Sequence, residues 1–277
     1  MASIDTHYSA EDIEAKILAA LREAGLDPEQ RLSPVELGAL DHFHTGGFPA
    51  SLILQELAQI KADDRVLDIG AGLAGPARML ADSPGCRVDC IELTPDYCAG
   101  AELLNKLTGL EDLIGVYEGS ALDMPFDDNS FEVAWMQNVG MNIEDKRGLY
   151  TEVCRVLKPG GRFAFQEMTA GETDASYFPL PWATVPTDNL LVSADEMHSL
   201  LDECGFVAEY YEDVSDTQLN PPKNTASTNS PQSTVQVQQA PLSLSTYVDD
   251  LALKAENATR SLQEGQVRFV RGVFRVK

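Results

Sequence analysis

VLDIGAGLAG, residues Val66–Gly75, is the stretch whose reading decides the fold. A short apolar run ends in Gly70, Gly72 and Gly75, and a helical pattern, PARMLAD, follows directly. Strand, glycine turn and helix in that order mark a nucleotide-type site. The glycines allow a tight turn and a close approach of ligand to backbone. Asp68 then decides which ligand suits the turn. A carboxylate there opposes a pyrophosphate by about 4 kcal/mol per charge pair at ~4 Å and an effective dielectric near 20. It welcomes a cation instead. S-adenosylmethionine carries an ammonium and a sulfonium but no phosphate, so it suits this turn where NAD does not.

Outward from this turn, short apolar runs alternate with helices. RVLDIG, CRVDCIE, EVAWMQ and GRFAFQEM read as strands, with LIGVYEG as a further candidate. PARMLAD, PDYCAGAELLNKL and EDKRGLYTEVCRVL read as the helices between them. That alternation predicts a doubly wound, mostly parallel α/β sheet. Ligands of such sheets lie beyond the carboxyl ends of the strands, so strand-end residues carry the functional information. Glu92 ends CRVDCIE, 22 residues after Gly70, where an acid can accept from both ribose hydroxyls. Its plainer reading is a helix-start acid before the capping pair Thr94-Pro95.

The flanks complete the organisation. Ile13, Ile17, Leu18 and Leu21 recur at helical spacing, and Ser33-Pro34-x-Glu36 forms a capping box. The polar-aromatic segment DHFHTGG, Asp41 to Gly47, leads into another amphipathic helix. Residues 1–62 are therefore expected to form an N-terminal helical lid on a domain spanning 63–277. Between Val214 and Ser245 only Asp216 and Lys223 are charged, which predicts a flexible insertion at about 214–245. A helix over 246–263 and a final strand, QVRFVRGVFRVK, are expected after it.

Composition narrows the partners. The 277 residues hold 44 Asp and Glu against 20 Lys and Arg, a formal net charge of −24. Such a field repels phosphate backbones and anionic membranes, so neither nucleic acid nor membrane is an expected partner. A hydrophobic fraction of 44% leaves enough apolar material for a core. No segment reaches the length of a membrane span, and the first twenty residues lack a basic leader region, so the expected location is cytoplasmic. Cys86, Cys90, Cys98, Cys154 and Cys204 form no C-x-x-C pair and are expected to be reduced, mostly buried thiols. His42 and His44 lack a third ligand at sensible spacing, so no metal is expected.

VLDIGAGLAGPARML, CRVDCIELT, EGSALDMPFDDNSFE and EVCRVLKPGGRFAF together resemble class I S-adenosylmethionine-dependent methyltransferases over roughly residues 41–214. The resemblance implies a Rossmann-like, doubly wound, mostly parallel seven-stranded sheet with an antiparallel last strand. It implies S-adenosyl-L-methionine as cofactor and a small-molecule methyl acceptor as partner. Gly119, Ser120 and Ala121 would line the adenine, with Ser120 in place of the more usual aspartate. Leu93 would pack on the adenine face, and KPGG, Lys158 to Gly161, would be a turn before the fifth strand.

HYSAEDIEAKILAALREAGLD, LDHFHTGG, MQNVGMNIEDK, YFPLPWA and RSLQEGQVRFVRGVFRVK further resemble the sarcosine/dimethylglycine N-methyltransferase branch. This implies that Tyr8 and the loop from His42 to Gly47 close over the methionine end of the cofactor. Gln137 would face its methyl-bearing half, while Asn138, Met141 and Trp182 would border the acceptor. Together the expected cofactor residues are Tyr8, Gly47, Asp68, Gly70, Gly72, Glu92, Leu93, Ser120, Ala121 and Gln137. His44, Asn138 and Glu167 are the expected catalytic residues, and His42, Phe48, Met141, Phe178 and Trp182 the expected acceptor contacts.

One departure bears on the acceptor. The chain reads HTGGFPAS, with Phe48 where members of the branch commonly carry an arginine. An amino-acid acceptor needs a cation for its carboxylate. Arg78 or Arg147 could supply one only if the fold brings it near. An O- or C-methylated, less polar metabolite is thus a competing acceptor class, and a non-catalytic S-adenosylmethionine-binding protein a competing role.

Overall fold

The computed structural model describes residues 12–219, 242–243, 246 and 248–277. Tyr8 and most of the expected insertion lie outside these residues. The sheet has seven strands in the order β3-β2-β1-β4-β5-β7-β6. They are β1 (Arg65–Ile69), β2 (Arg87–Glu92), β3 (Ile114–Glu118), β4 (Phe131–Gln137), β5 (Leu157–Ala170), β6 (Phe206–Asp213) and β7 (Val267–Val276). Strands β1 to β5 pair in parallel, and β7 runs antiparallel between β5 and β6. This is the Rossmann-like α/β sheet expected, with the antiparallel last strand inserted between β5 and the edge strand β6.

The helices divide between two faces. We number them α1 (Ile13–Glu23), α2 (Pro34–Asp41), α3 (Gly47–Ala58), α4 (Gly75–Asp82), α5 (Pro95–Thr108), α6 (Lys146–Val156), α7 (Ala194–Glu203), α8 (Ser215–Leu219) and α9 (Leu251–Gln263). On one face Leu54 and Ala58 of α3, with Ala77 and Leu80 of α4, join Val66, Val88, Val133 and Trp135 in one core. On the other, Leu149 and Val153 of α6, with Met197 and Leu201 of α7, pack against Leu67, Ala134, Phe163 and Phe274. The two cores follow from period-2 alternation, since Val66 and Leu67 or Val133 and Ala134 point to opposite faces. Helix α1 packs on α5, with Ile13 and Ile17 beside Tyr97 and Leu104. The capping box at Ser33 and Glu36 forms as expected.

Three local expectations are corrected. The KPGG segment lies within β5: between the Phe131–Leu157 and Val133–Arg162 pairs, β4 advances two residues while β5 advances five. The surplus forms a bulge, which Gly160 eases at φ +75°. The helix expected from residue 246 begins at Leu251, after Asp250 in a left-handed conformation at φ 52°. Among the five free thiols only Cys86 and Cys90 are buried, the other three being half-buried.

Candidate cofactor and acceptor site

The glycine turn is shaped by contacts that leave no room for side chains. Gly70 has φ +65°, and a Cβ there would meet Val139 at 2.6 Å. A Cβ on Gly75 would meet the Asp41 carbonyl at 2.4 Å and His42 Nδ1 at 2.6 Å. Gly75 therefore lets the loop after α2 lie directly on the start of α4.

That loop is fastened from beneath. Arg78, fully buried in α4, donates to Asp41 Oδ2 and to Asn105 Oδ1, each at 2.8 Å, and to the Leu73 carbonyl. His42 Nδ1 lies 2.7 Å from Asp41 Oδ1. Burial pushes the Asp41 carboxyl up, but Arg78 and His42 outweigh it and hold it below the usual carboxylate range. Arg78 is thus committed to the loop and is not a free cation for an acceptor. Arg147 is not one either, being exposed and paired with Glu203.

Asp68 and Glu92 stand at the carboxyl ends of β1 and β2. Asp68 is 3% exposed, and its Oδ2 is buried without a hydrogen-bond partner. Burial, reinforced by the Glu92 charge and opposed by Arg78, raises its pKa to about 8. A buried, unpartnered carboxylate oxygen beside a glycine turn is a place for a cation. Glu92 accepts from the Gly72 amide at 2.8 Å and from the Thr94 amide at 2.9 Å, tying the turn to the start of α5. Leu93 beside it is 41% exposed, an apolar platform open to solvent. Ser120 Oγ accepts from the Leu122 amide at 3.1 Å, and Ala121 packs against the core of the second face.

His44, Ser51 and Gln137 form a closed cycle under the loop. Ser51 donates to Gln137 Oε1 at 3.0 Å, so its oxygen accepts from His44 Nε2, also at 3.0 Å. Gln137 Nε2 then donates to His44 Nδ1 at 3.3 Å, and Trp135 Nε1 supplies a second donor to Gln137 Oε1 at 3.0 Å. The cycle closes only with the proton of His44 on Nε2. The 3.4 Å approach of Nδ1 to the Thr45 carbonyl is then a contact between two acceptors. Burial and the neighbouring His42 hold the His44 pKa down at about 3. Both ring nitrogens are engaged and the ring is neutral.

Glu167 is fully buried beneath the loop after β4. Its Oε1 accepts from the Val139 amide at 2.9 Å, and the Gly140 and Met141 amides also face it. Burial outweighs these donors and Lys146, raising its pKa to about 7. Lys146 Nζ donates to the Ile143 carbonyl and, at 2.8 Å, to the Leu190 carbonyl, joining this loop to the segment that follows Trp182. Between these elements Asn138 holds a left-handed φ of 57°, with Oδ1 buried and unpartnered. Such a backbone outlier at a strand end marks a constrained site.

The expected acceptor contacts fall into two groups. Met141, Phe178 and Trp182 share one apolar cluster with Met168, Leu180 and Phe269, and Trp182 Nε1 donates to Asn189 at 2.8 Å. Phe48 instead packs inside the N-terminal layer, against Gly38 and the His42 ring. Gly47 opens α3 with free space at its Cα. An open depression of about 420 Å³ lined by Arg65, Arg87, Asp89 and Tyr117 sits at the opposite, amino-terminal end of β1 and β2. It is remote from the strand ends where the glycine turn and Asp68 meet.

Sequence reading passed over Asp41, Ser51, Gln166 and Arg271. Gln166 Nε2 donates to the Thr45 carbonyl at 2.9 Å, and Arg271 donates to Gln166 Oε1 at 2.9 Å. The available signal was periodicity: Arg271 falls on the same strand face as Val267, Phe269 and Val273. Among the described residues no cluster of His, Cys, Asp and Glu could hold a metal, and no helix is long and apolar enough to cross a membrane.

Residues 67–165 match a family described as a methyltransferase domain. This segment is a methyltransferase domain. It runs from Leu67 in β1 to Phe165 in β5, and so contains Asp68, Glu92, Ser120, Gln137 and Asn138. The chain is 39% identical over 114 residues to a glycine/sarcosine/dimethylglycine N-methyltransferase of Actinopolyspora halophila, covering 41% of this chain and 20% of that one. It is 29% identical over 165 residues to a sterol 24-C-methyltransferase of Saccharomyces cerevisiae, covering 57% and 43%. A solved structure from Galdieria sulphuraria, provisionally described as a sarcosine dimethylglycine methyltransferase, superposes with a TM-score of 0.64 at 23% identity, over 87% of this chain and 95% of that one. The chain spans between a fifth and about two fifths of the length of the first curated relatives it matches. The fold is that of class I methyltransferases, and the resemblance to the sarcosine/dimethylglycine branch is sustained. The matched segment ends before Trp182 and before β7.

Proposed function

We propose that the protein is an S-adenosylmethionine-dependent methyltransferase acting on a small-molecule acceptor. The observation that carries this reading is the buried, unpartnered Oδ2 of Asp68 beside the glycine turn. A cationic cofactor supplies the counter-charge that this atom lacks, whereas a dinucleotide would set a pyrophosphate against it. Asp68 and the backbone at Gly70 and Gly72 would hold the methionine portion, Glu92 the ribose hydroxyls, and Leu93 with Ser120 and Ala121 the adenine. Bound there, the cofactor supplies an electrophilic methyl group on a sulfonium.

The chain's own residues then position and dry the site. The Asp41–Arg78 pair presses the loop of residues 41–46 onto the glycine turn. The His44–Ser51–Gln137 cycle fixes Gln137 at the end of β4, so we assign His44 a positioning role rather than proton transfer. Glu167 likewise organises the Val139–Met141 amides from below, and Asn138 is the residue of that turn we assign to the reacting centre. Methyl transfer to an unprotonated amine requires alignment and exclusion of water more than a strong base. The acceptor reading the resemblance favours is an amine of the sarcosine/dimethylglycine type. The apolar cluster of Met141, Phe178 and Trp182, with the sterol relative, supports a second reading, O- or C-methylation of a less polar metabolite.

Label transfer from methyl-labelled S-adenosylmethionine to a panel of glycine, sarcosine, dimethylglycine, phenols, amines and terpenoids tests this. Labelled product from any of them is the expected result. Cofactor binding with no transfer to any acceptor would favour a binding protein.

A further inference from the structure

A single row of polar side chains crosses the sheet at the carboxyl ends of the parallel strands. Gln137 of β4 pairs in register with Gln166 of β5, Gln166 with Arg271 of β7, and Arg271 with Glu212 of β6. Because neighbours in register share a face, all four project to the side covered by α3. Glu92 and Asp68 stand at the other end of this row, on β2 and β1. The row is thus acidic where the cofactor would lie and carries its one cation, Arg271, on the far side of β5.

Arg271 is the unusual member. It is 7% exposed, yet its hydrogen bonds among the described residues both end on the neutral Gln166 Oε1, at 2.9 and 3.3 Å. Glu212 beside it is engaged by the Tyr210 hydroxyl and makes no ion pair with it. A guanidinium buried against a neutral amide carries a desolvation cost that, among the described residues, the nearby Tyr210 and Glu212 offset only in part. Arg78, the other deeply buried arginine, is by contrast neutralised by Asp41.

Position indicates what Arg271 faces. Arg271 lies between Phe269, which belongs to the Trp182 cluster, and Val273, which belongs to the core under α3. Gln166, which accepts from it, donates to the Thr45 carbonyl at 2.9 Å, so Arg271 lies under the covering loop as well. At about 4.8 Å per strand it stands roughly 14 Å from β1 and roughly 10 Å from β4, beyond reach of the cofactor's methionine end. We propose that Arg271 is the anion-recognition residue of the acceptor pocket, taking the carboxylate of the molecule to be methylated. This rests on the methyltransferase reading and replaces the cation that Phe48 removes from the loop. One guanidinium fork matches one carboxylate in geometry and charge, and the flanking Glu212 disfavours a dianionic phosphate.

The test begins with S-adenosylhomocysteine binding by calorimetry, since its absence would overturn the methyltransferase reading and this assignment with it. The protein saturated with S-adenosylhomocysteine is then titrated with dimethylglycine and with phenylacetate, each against its neutral primary amide, and with phosphoethanolamine. At least one acid is expected to bind ten-fold or more tighter than its amide. Arg271→Gln should erase that preference while S-adenosylhomocysteine affinity stays within two-fold, and Arg271→Lys should restore part of it. In turnover, the KM for the acid should rise at least ten-fold with kcat changed less than three-fold. Equal binding of acid and amide, tighter binding of phosphoethanolamine than of either acid, or a parallel loss for acid, amide and S-adenosylhomocysteine in the Gln variant would each overturn the assignment.

Discussion

Asp41 Oδ2 lies 2.8 Å from Nη2 of Arg78, with both side chains out of contact with solvent. The pair joins the end of α2 to the helix that follows the glycine turn, so the covering loop and the cofactor turn form one rigid unit. The packing of the loop and the start of α4 are therefore linked through this bond.

Removing one partner of a buried pair leaves the other charge stranded. Asp41→Ala should lower stability by about 3–5 kcal/mol, because both Arg78 and His42 lose their acceptor. Urea denaturation followed by circular dichroism checks this. A loss of only a few tenths would show that the pair does not hold the loop.

Glu92 serves the turn and the proposed ribose contact at once. Glu92→Ala should weaken S-adenosylhomocysteine binding more than ~10-fold, about 1.4 kcal/mol or more. Calorimetric titration giving wild-type affinity would remove Glu92 from the site.

Asp68, with its pKa raised to about 8, is largely protonated at neutral pH before a ligand binds. A cationic ligand favours the carboxylate, so its binding releases a proton at pH 7, and affinity should climb with pH and level off above about 8. Calorimetry in two buffers of different ionisation enthalpy reads the proton directly. Asp68→Asn should bind more weakly and release none.

Glu167 carries a pKa raised to about 7 by burial, above the 4.5 of a free glutamate. A folded-state pKa above the unfolded one means that its contribution to stability is full below about pH 4.5 and is lost as pH rises towards 7. Glu167→Gln keeps an acceptor for the Val139 amide without the charge. Relative to wild type it should gain stability between pH 5 and 8.5, by on the order of 2–3 kcal/mol, as measured by denaturation at both values. A pH-independent difference between the two proteins would show that Glu167 does not titrate in this range.

His44, with its pKa held down at about 3, should show no titration between pH 5 and 8. Nitrogen-15 chemical shifts should report one neutral tautomer with the proton on Nε2. Ser51→Ala opens the cycle and should cost about 1–3 kcal/mol, the penalty for unsatisfied buried polar groups.

The elements set by local rules were readable from the chain. Alternating apolar runs gave the strands, the glycines gave the turn, and Asp68 with Glu92 followed because each ends a strand beside that turn. The β5 bulge and the late start of α9 were not readable, since both depend on what the neighbouring segments allow. Burial of the cysteines was only partly so, because Cys98, Cys154 and Cys204 sit on helices or at a helix end where one residue decides exposure.

What the sequence determined by itself is therefore the sheet, its methyltransferase turn and the acids that suit a cationic ligand. Their information is local, carried by strand period and turn chemistry within a few residues. Only the tertiary structure decided that Arg78 belongs to Asp41, that His44 is locked by Ser51 and Gln137, and that Arg271 stands in register with Gln166. Gln166 and Arg271 are 105 residues apart and meet because β7 returns antiparallel into the sheet. No local pattern encodes that meeting, for register between distant strands is set by packing both faces of the sheet at once.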